Sequence, residues 1–180
     1  MPKKQRVKIF IDGSNFFFYC KELGIPTFPK FDFEGFINFL VEDRELVQKN
    51  YYIGAIRAKQ DDKKALKMMA NQMSFFSYLK KYNWKINKGY LLKSNDKYHE
   101  KGVDVKLALD LVLGAVDNQY DIALLLSSDT DILPAVEQVH MRKKKVEYIG
   151  FAHRPSIAMI SNSKTKKLLT KSDLKKFVIK

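Results

Sequence analysis

Two aspartates separated by one residue, Asp129 and Asp131, follow an apolar run at 122–126. A short apolar run bounded by polar residues is typical of a buried strand in a parallel sheet. Ligands of open parallel sheets bind outside the carboxyl ends of the strands, so this pair lies where chemistry is expected. One aspartate can cap the next helix, which Pro134 favours, but a cap needs only one. Carboxylates this close repel each other unless a cation binds between them or one is protonated, and their oxygens suit Mg²⁺ or Mn²⁺.

Asp12 is a third candidate, because it ends the predicted first strand. As an aspartate before Gly13, it is either a helix cap or a metal ligand at the carboxyl end of that strand. Asn15, three residues further on, can hydrogen-bond a metal-bound water or the substrate.

Asp104 is the fourth candidate, on a predicted helix that begins at Val103. At 100° per residue it falls within roughly 60° of that helix's apolar residues, so we expect its side chain to face the core. An unpaired buried carboxylate is costly, and a cation beside it would remove the conflict. A role in the first helical turn is the alternative. We therefore predict a metal site of Asp12, Asp104, Asp129 and Asp131.

Strands that alternate with helices must position these residues. The apolar patterns predict strands at 7–11, 50–58, 84–92, 122–126 and 146–151, and helices at 16–23, 33–41, 61–82, 103–116 and 132–142, with two short helices after Pro155 and at 172–178. The polar segment 93–102 is expected to be a loop. This order predicts a three-layer α/β/α, Rossmann-like fold with a mainly parallel sheet of about five strands. We expect one domain over 1–180, with a core at about 7–151 and a basic C-terminal extension at 152–180.

Composition limits the class of partner. The 180 residues carry 33 Lys and Arg against 20 Asp and Glu, a formal net charge of +13. Such a balance favours a polyanionic partner, and a nucleic acid more than a membrane surface. A generic basic surface is the simpler alternative. No apolar stretch approaches the roughly 20 residues of a membrane span, and Asp12 interrupts the first apolar segment, which does not fit a secretion signal. We expect a cytoplasmic protein.

Three segments occur in the order Ile11-Asp12-Gly13-Ser14-Asn15, Lys101-Gly102-Val103-Asp104-Val105 and Ser127-Ser128-Asp129-Thr130-Asp131-Ile132. Together they resemble the NYN domain, in the LabA-like branch of the PIN-like ribonuclease superfamily. The resemblance implies a Mg²⁺- or Mn²⁺-dependent endoribonuclease whose acidic metal-binding positions match the four aspartates, and whose asparagine matches Asn15. The family often has glycine where Ser128 stands, a difference that could alter how closely the backbone approaches the metal or phosphate.

The predicted reaction is cleavage of an RNA phosphodiester bond by a water that the metal activates. Lys93, Lys101 and Arg57 lie near the expected site and, with Asn15 and Ser128, are the candidate substrate-binding residues. The aromatic residues at 16–19 can also stack on bases, although packing in the core is the simpler role. RNA, single-stranded or structured, is the expected partner, with a homodimer as a candidate assembly and no membrane partner.

Two other functions fit parts of the pattern. A non-enzymatic RNA-binding or regulatory module could keep the same fold. A phosphatase of the haloacid dehalogenase type also has an Asp-x-Asp after an apolar strand. In that class, however, the motif usually opens the fold, whereas four predicted strands precede Asp129 here.

Overall fold

The structure, a computed structural model, describes residues 4–56, 61–94 and 97–179, and the side chains of all of these except 90–94 and 97–100. The strands in this part of the chain are β1 Arg6–Asp12, β2 Glu45–Gly54, β3 Trp84–Ser94, β4 Lys97–Lys101, β5 Ile122–Leu126, β6 Lys145–Phe151 and β7 Thr165–Leu169. The helices are α1 Gly13–Glu22, α2 Phe33–Val41, α3 Lys63–Lys81, α4 Val103–Val116, α5 Leu133–Met141, α6 Ile157–Asn162 and α7 Lys171–Lys175, with a 3₁₀ turn at Thr130–Ile132.

The strands form one sheet in the order β4-β3-β2-β1-β5-β6-β7. Six of them are parallel, and β4 is antiparallel to β3. The first strand, β1, lies between β2 and β5, so its carboxyl end is at the middle of the sheet edge. On one side β1 is followed in the sheet by β2, and on the other side by β5, so the strand order reverses at β1. Open α/β sheets bind ligands at such a reversal point.

Helices cover both faces of the sheet, as the period-two alternation of β1 requires. Ile9 packs in the core beneath α1, α2 and α3, whereas Phe10 packs on the opposite face beneath α4 and α5. The predicted three-layer α/β fold is therefore confirmed. Within the described residues, no helix is both long enough and apolar enough to cross a membrane.

The predicted number of about five strands is too low. Residues 97–101, expected in a loop, form β4, and the basic stretch Thr165–Leu169 forms β7. Both are edge strands, which pair on one side only and so lack the apolar run that marks a central strand. The second strand begins at Glu45, five residues before the predicted start, and its predicted end at Ala58 lies outside the described residues. Because β7 pairs with β6 and Leu174 lies in the core, the C-terminal segment completes this domain.

An ion-pair cluster at the opposite, amino end of the sheet gives a prediction about pH. Hydrogen bonds from Arg6, whose Nη2 lies 3.0 Å from Oδ1 of Asp121, hold the pKa of Asp121 well below its usual range. A lowered pKa stabilises the fold above about pH 4, the value in unfolded chains, and the stabilisation is lost as pH falls. We expect Asp121→Ala to lower the melting temperature at neutral pH and this deficit to shrink in acid. Circular dichroism melts at a series of pH values, with Asp43→Ala as control, measure it; a deficit that stays constant would contradict the assignment.

Candidate active site

The carboxyl ends of the two central strands bring Asp12 and Ser127 side by side. In the parallel register, Ile11 of β1 pairs with Leu126 of β5, so the next residue of each strand lies at the same level. Ser127 Oγ donates to Asp12 Oδ2 at 3.2 Å and accepts from the backbone N–H of Asp129, also at 3.2 Å. Both side chains are buried, Asp12 with 6% of its surface exposed. The hydroxyl of Ser127 therefore links Asp12 to the acidic segment after β5.

Asp12 also caps α1. Its Oδ1 accepts from the backbone N–H of Asn15 at 3.0 Å. The Oδ1 of Asn15 in turn accepts from the backbone N–H of Ser128 at 3.2 Å. Asn15 thus ties the start of α1 to the loop after β5. The helix-cap alternative for Asp12 and the ligand prediction are compatible, because each oxygen of a carboxylate can accept more than one interaction.

Ser128 is held from the other side by β6. Its hydroxyl lies 2.8 Å from Tyr148 Oη, which also accepts from the backbone N–H of Ser156 at 3.1 Å. The Ser128 hydroxyl is therefore engaged within the fold, and it fixes the loop. Sequence reasoning missed Ser127 and Tyr148. The end of an apolar strand in two consecutive serines is a signal that would have identified Ser127, whereas nothing in the sequence marks the fully buried Tyr148.

Asp129 and Asp131 have different local roles. Asp129 Oδ1 accepts from the backbone N–H of Asp131 at 2.9 Å and caps the 3₁₀ turn that precedes α5. Asp131 has an exposed side chain in that turn, and capping does not involve its carboxylate. The sequence indicated that one aspartate of the pair caps the next helix. Asp129 is indeed a cap, but of the 3₁₀ turn, whereas α5 has no side-chain cap.

Asp104 lies on the first turn of α4, near the Asp129–Asp131 segment. Partial burial, followed by the negative charges of Asp129 and Asp131, raises the pKa of the Asp104 carboxyl above its usual range. The prediction that its side chain faces the core is wrong, because Asp104 is exposed while Val103, Leu107 and Leu111 form the buried stripe. At 100° per residue Asp104 lies at an angle between Leu111 and Ala115, so its angle around α4 was right. It is exposed because the first turn of α4 lies at the rim of the fold.

A glycine in β3 determines where α4 begins. A Cβ on Gly89 would lie 2.3 Å from Val103 Cγ2 and 2.7 Å from the carbonyl oxygen of Lys101. The chain entering α4 therefore passes directly against the backbone of β3. Gly102, with φ of +81°, turns the chain into the helix in a left-handed conformation that favours glycine. These two glycines place Asp104 at the rim.

The basic candidates are only partly described. Lys101 is exposed and lies three residues before Asp104. Arg57 and the side chain of Lys93 lie outside the described residues. Asp110 is partly buried and has structural partners: it accepts from Tyr52 Oη at 3.0 Å and from Lys106 Nζ at 2.6 Å.

The donor set suits a hard divalent cation, but the acids do not form a closed cage. Nowhere in the described ranges do three carboxylate, imidazole or thiol side chains lie close enough to hold one metal together. Asp12 is grouped with Ser127, and Asp104 with Asp129 and Asp131. Mg²⁺ is commonly bound through one or two carboxylates, with waters and substrate phosphates as the remaining ligands. Burial and then repulsion from Asp129 and Asp131 raise the pKa of Asp104, and a bound cation stabilises the charged carboxylate against both, so the residues fit one.

Comparison with known proteins identifies the family and the fold. The family model for the NYN domain matches residues 6–170, which include β1 through β7. A crystal structure of a protein of unknown function, VPA0982 from Vibrio parahaemolyticus RIMD 2210633, superposes with a TM-score of 0.69 at 23% identity, over 94% of this chain and 95% of that one. It shows the fold alone. A search of curated proteins found no match. Since the family model covers nearly the whole chain, the protein belongs to the NYN domain family, which has the fold of PIN-like nucleases.

Proposed function

We propose that this protein is a Mg²⁺- or Mn²⁺-dependent endoribonuclease, with its active site at the carboxyl ends of β1 and β5. The observation that carries the proposal is the position of Asp104 on the first turn of α4, where partial burial and then the negative charges of Asp129 and Asp131 raise its pKa. Acids from α4 and from the segment after β5 thus lie near one another, and Ser127 links that segment to the buried Asp12. Perturbed carboxylates at the topological centre of an α/β sheet are typical of catalytic sites. Membership of a nuclease-fold family supports the same conclusion.

In this proposal Asp12, Asp104, Asp129 and Asp131 hold the cation. When bound, the cation supplies an activated water and neutralises charge that develops on the phosphate. The chain's own residues give the site its geometry. Ser127 holds Asp12 against the loop, and Asn15 and Ser128 keep that loop in place through hydrogen bonds to its backbone and to β6. Lys101, exposed beside Asp104, offers a cation to the backbone of the RNA.

The net charge supports a nucleic acid as the substrate. The chain carries a formal net charge of +13, whereas the residues of the proposed site are acidic. A basic surface attracts the polyanion, and its binding is salt-sensitive. The acidic centre would repel that polymer unless a divalent cation intervened. The proposal therefore joins the metal and the RNA in one site.

Cleavage of end-labelled RNA tests the proposal. We expect cutting at internal positions with Mn²⁺ or Mg²⁺, none with EDTA, and weaker cutting as salt is raised. Single-stranded RNA, structured RNA and DNA of the same sequence compared in parallel give the substrate preference. Absence of cleavage with every substrate and both metals would overturn the proposed activity.

A non-catalytic RNA-binding module is the second candidate. The observation that favours it is the lack, among the residues described, of three acids already arranged around one point. Such a module would bind labelled RNA equally well in EDTA and Mn²⁺ and leave it intact. Binding and cleavage measured on the same samples separate the two functions.

A further inference from the structure

A groove of about 600 Å³ opens on the α1 and α3 side of the sheet, next to the proposed active site. It begins at Gly13 and Ser14, which directly follow Asp12, and its floor includes the buried ring of Tyr51. Burial and then the negative charge of Asp12 raise the pKa of Tyr51, which shows how near the floor is to that carboxylate. The volume is in the range of sites that bind small organic groups.

The walls of the groove are flat and apolar, with an exposed lip. The aromatic walls include Phe28 and Phe75, and the lip is formed by Phe17 of α1 and Met68 of α3, which are 53% and 48% exposed. Large apolar side chains exposed around a concave surface mark a binding site for an apolar face. Aromatic walls of this kind suit the π-face of a base.

Helix α3 also carries polar and basic side chains next to the groove. The side-chain amide of Asn71 is exposed in the groove wall and can pair with the edge of a base. Lys64 and Lys67 are exposed, and each comes four residues before a groove residue, Met68 or Asn71. Both lysines therefore lie on the same face of α3, one turn closer to its N-terminus. A ligand with a flat ring in the groove and a negative charge outside it would satisfy both features.

We infer that this groove binds an unpaired nucleobase of the RNA next to the phosphodiester bond that is cut, while Lys64 and Lys67 contact the neighbouring phosphates. The inference rests on the proposed function for the identity of the bond, but the groove and its lysines are observed independently. A base that must enter the groove has to be unstacked. Single-stranded RNA is therefore the substrate class that this site selects.

Binding measured in EDTA tests the groove separately from the chemistry. The matched pair is Met68→Glu and Met73→Glu: both change one exposed methionine of α3 and alter the net charge equally, but Met73 does not line the groove. For a fluorescent single-stranded RNA we expect Met68→Glu to weaken binding about tenfold and Met73→Glu to change it little. Phe17→Ala against Phe18→Ala is a second pair, since Phe18 is equally exposed on the same helix and lies outside the groove.

A second comparison varies the RNA. Wild type should bind an oligomer with abasic sites about tenfold more weakly than the intact oligomer, and Met68→Glu should bind the two nearly equally. Equal effects within both variant pairs, or tight abasic binding by wild type, would overturn the groove while leaving metal-dependent cleavage intact. Groove-dependent binding without cleavage would instead overturn only the nuclease proposal.

A different observation concerns the outer face of α4. Val105, Leu109, Leu113 and Val116 are each more than half exposed, and Val112 is half-buried between them. The inner face of α4 is also apolar and lies in the core. A helix with two apolar faces is normally covered on both of them. Positions 105, 109, 112 and 116 have the four-three-four spacing of a coiled-coil seam.

The seam is complementary to itself, and we infer that α4 pairs with the α4 of a second copy in antiparallel fashion. When Leu109 packs on Val112 of the partner subunit, Val105 meets Val116 of the partner subunit. At 1.5 Å per residue, Lys106 is then within one turn of Asp117 of the partner subunit, on the same edge of the pair. A twofold axis repeats this opposite-charge contact. Asp104 lies on the opposite edge of α4, so its site stays open.

Sedimentation equilibrium at micromolar concentrations tests the pairing. We expect wild type to be a dimer and Leu109→Glu to be a monomer that keeps the circular dichroism spectrum of the wild type, because the residue is exposed. Its melting temperature should fall by the part that dimerisation contributes. Met141→Glu, which alters the exposed methionine at the end of α5, is the matched control and should remain dimeric. A wild type that is monomeric throughout, or a Leu109→Glu variant that stays dimeric, would overturn the inference.

Discussion

Asp129→Asn should lower metal-dependent RNA cleavage by at least about 100-fold, since replacing residues that merely support a metal ligand already costs 10–100-fold. Asparagine keeps the cap of the 3₁₀ turn, because its side-chain oxygen can accept from the backbone N–H of Asp131 as the carboxylate does. The charge is what is lost. The loss should therefore appear in cleavage and metal affinity while the fold is retained. Initial rates on labelled single-stranded RNA at saturating Mn²⁺ measure the effect.

Metal binding gives this prediction a second readout. A cation that binds only the folded protein raises the melting temperature, so Mn²⁺ should stabilise wild type and stabilise Asp129→Asn much less. Asp43→Asn is the matched control: Asp43 is an exposed acid just before β2, at the opposite end of the sheet. It should behave as wild type in both assays. Cleavage and a Mn²⁺ shift that survive unchanged in Asp129→Asn would exclude Asp129 as a ligand.

The central part of the sheet could be predicted from the sequence, because its strands are apolar runs that stop at polar residues. The strand Ile122–Leu126 contains no polar residue, and it ends where the apolar run ends. The edge strands β4 and β7 could not be predicted in the same way. Their pairing depends on which neighbour they meet across the sheet, and their residues are largely polar and basic.

The candidate acids could be selected from the sequence, whereas the hydrogen bonds that connect the elements of the candidate site could not. That Asp12 and the segment after β5 lie together follows from the rule that parallel strands end at one edge. The hydrogen bonds through Ser127, and from Ser128 to Asn15 and Tyr148, depend on register and on the course of the loop, which no local pattern encodes. The prediction that the Asp104 side chain faces the core was wrong for a related reason. Helical periodicity gives its angle around the axis but not the height at which the first turn clears the sheet.

Gly89→Ala should reduce both stability and cleavage, although Gly89 is far along the chain from every proposed ligand. The new methyl group would lie 2.3 Å from Val103 Cγ2 and 2.7 Å from the Lys101 carbonyl oxygen, so the start of α4 must move away from β3. Overpacking of this kind typically costs about 1–3 kcal/mol. Asp104 follows Val103 and must move with it. A shift of about 1 Å in a catalytic group can reduce the rate by about 100-fold.

Gly114→Ala separates the loss of stability from the displacement of the site. A Cβ at position 114 would also be too close to a neighbour, since it would lie 2.7 Å from Cε1 of Tyr120. Gly114, however, is at the opposite end of α4 from Asp104. Denaturant melts give the folded fraction of each variant, and cleavage rates are then compared per folded molecule. Gly114→Ala should cleave as wild type does, whereas Gly89→Ala should be slower by about tenfold or more and should show a smaller Mn²⁺ shift. Full cleavage per folded Gly89→Ala molecule would mean that α4 can move without disturbing the chemistry, and Asp104 would then have no part in it.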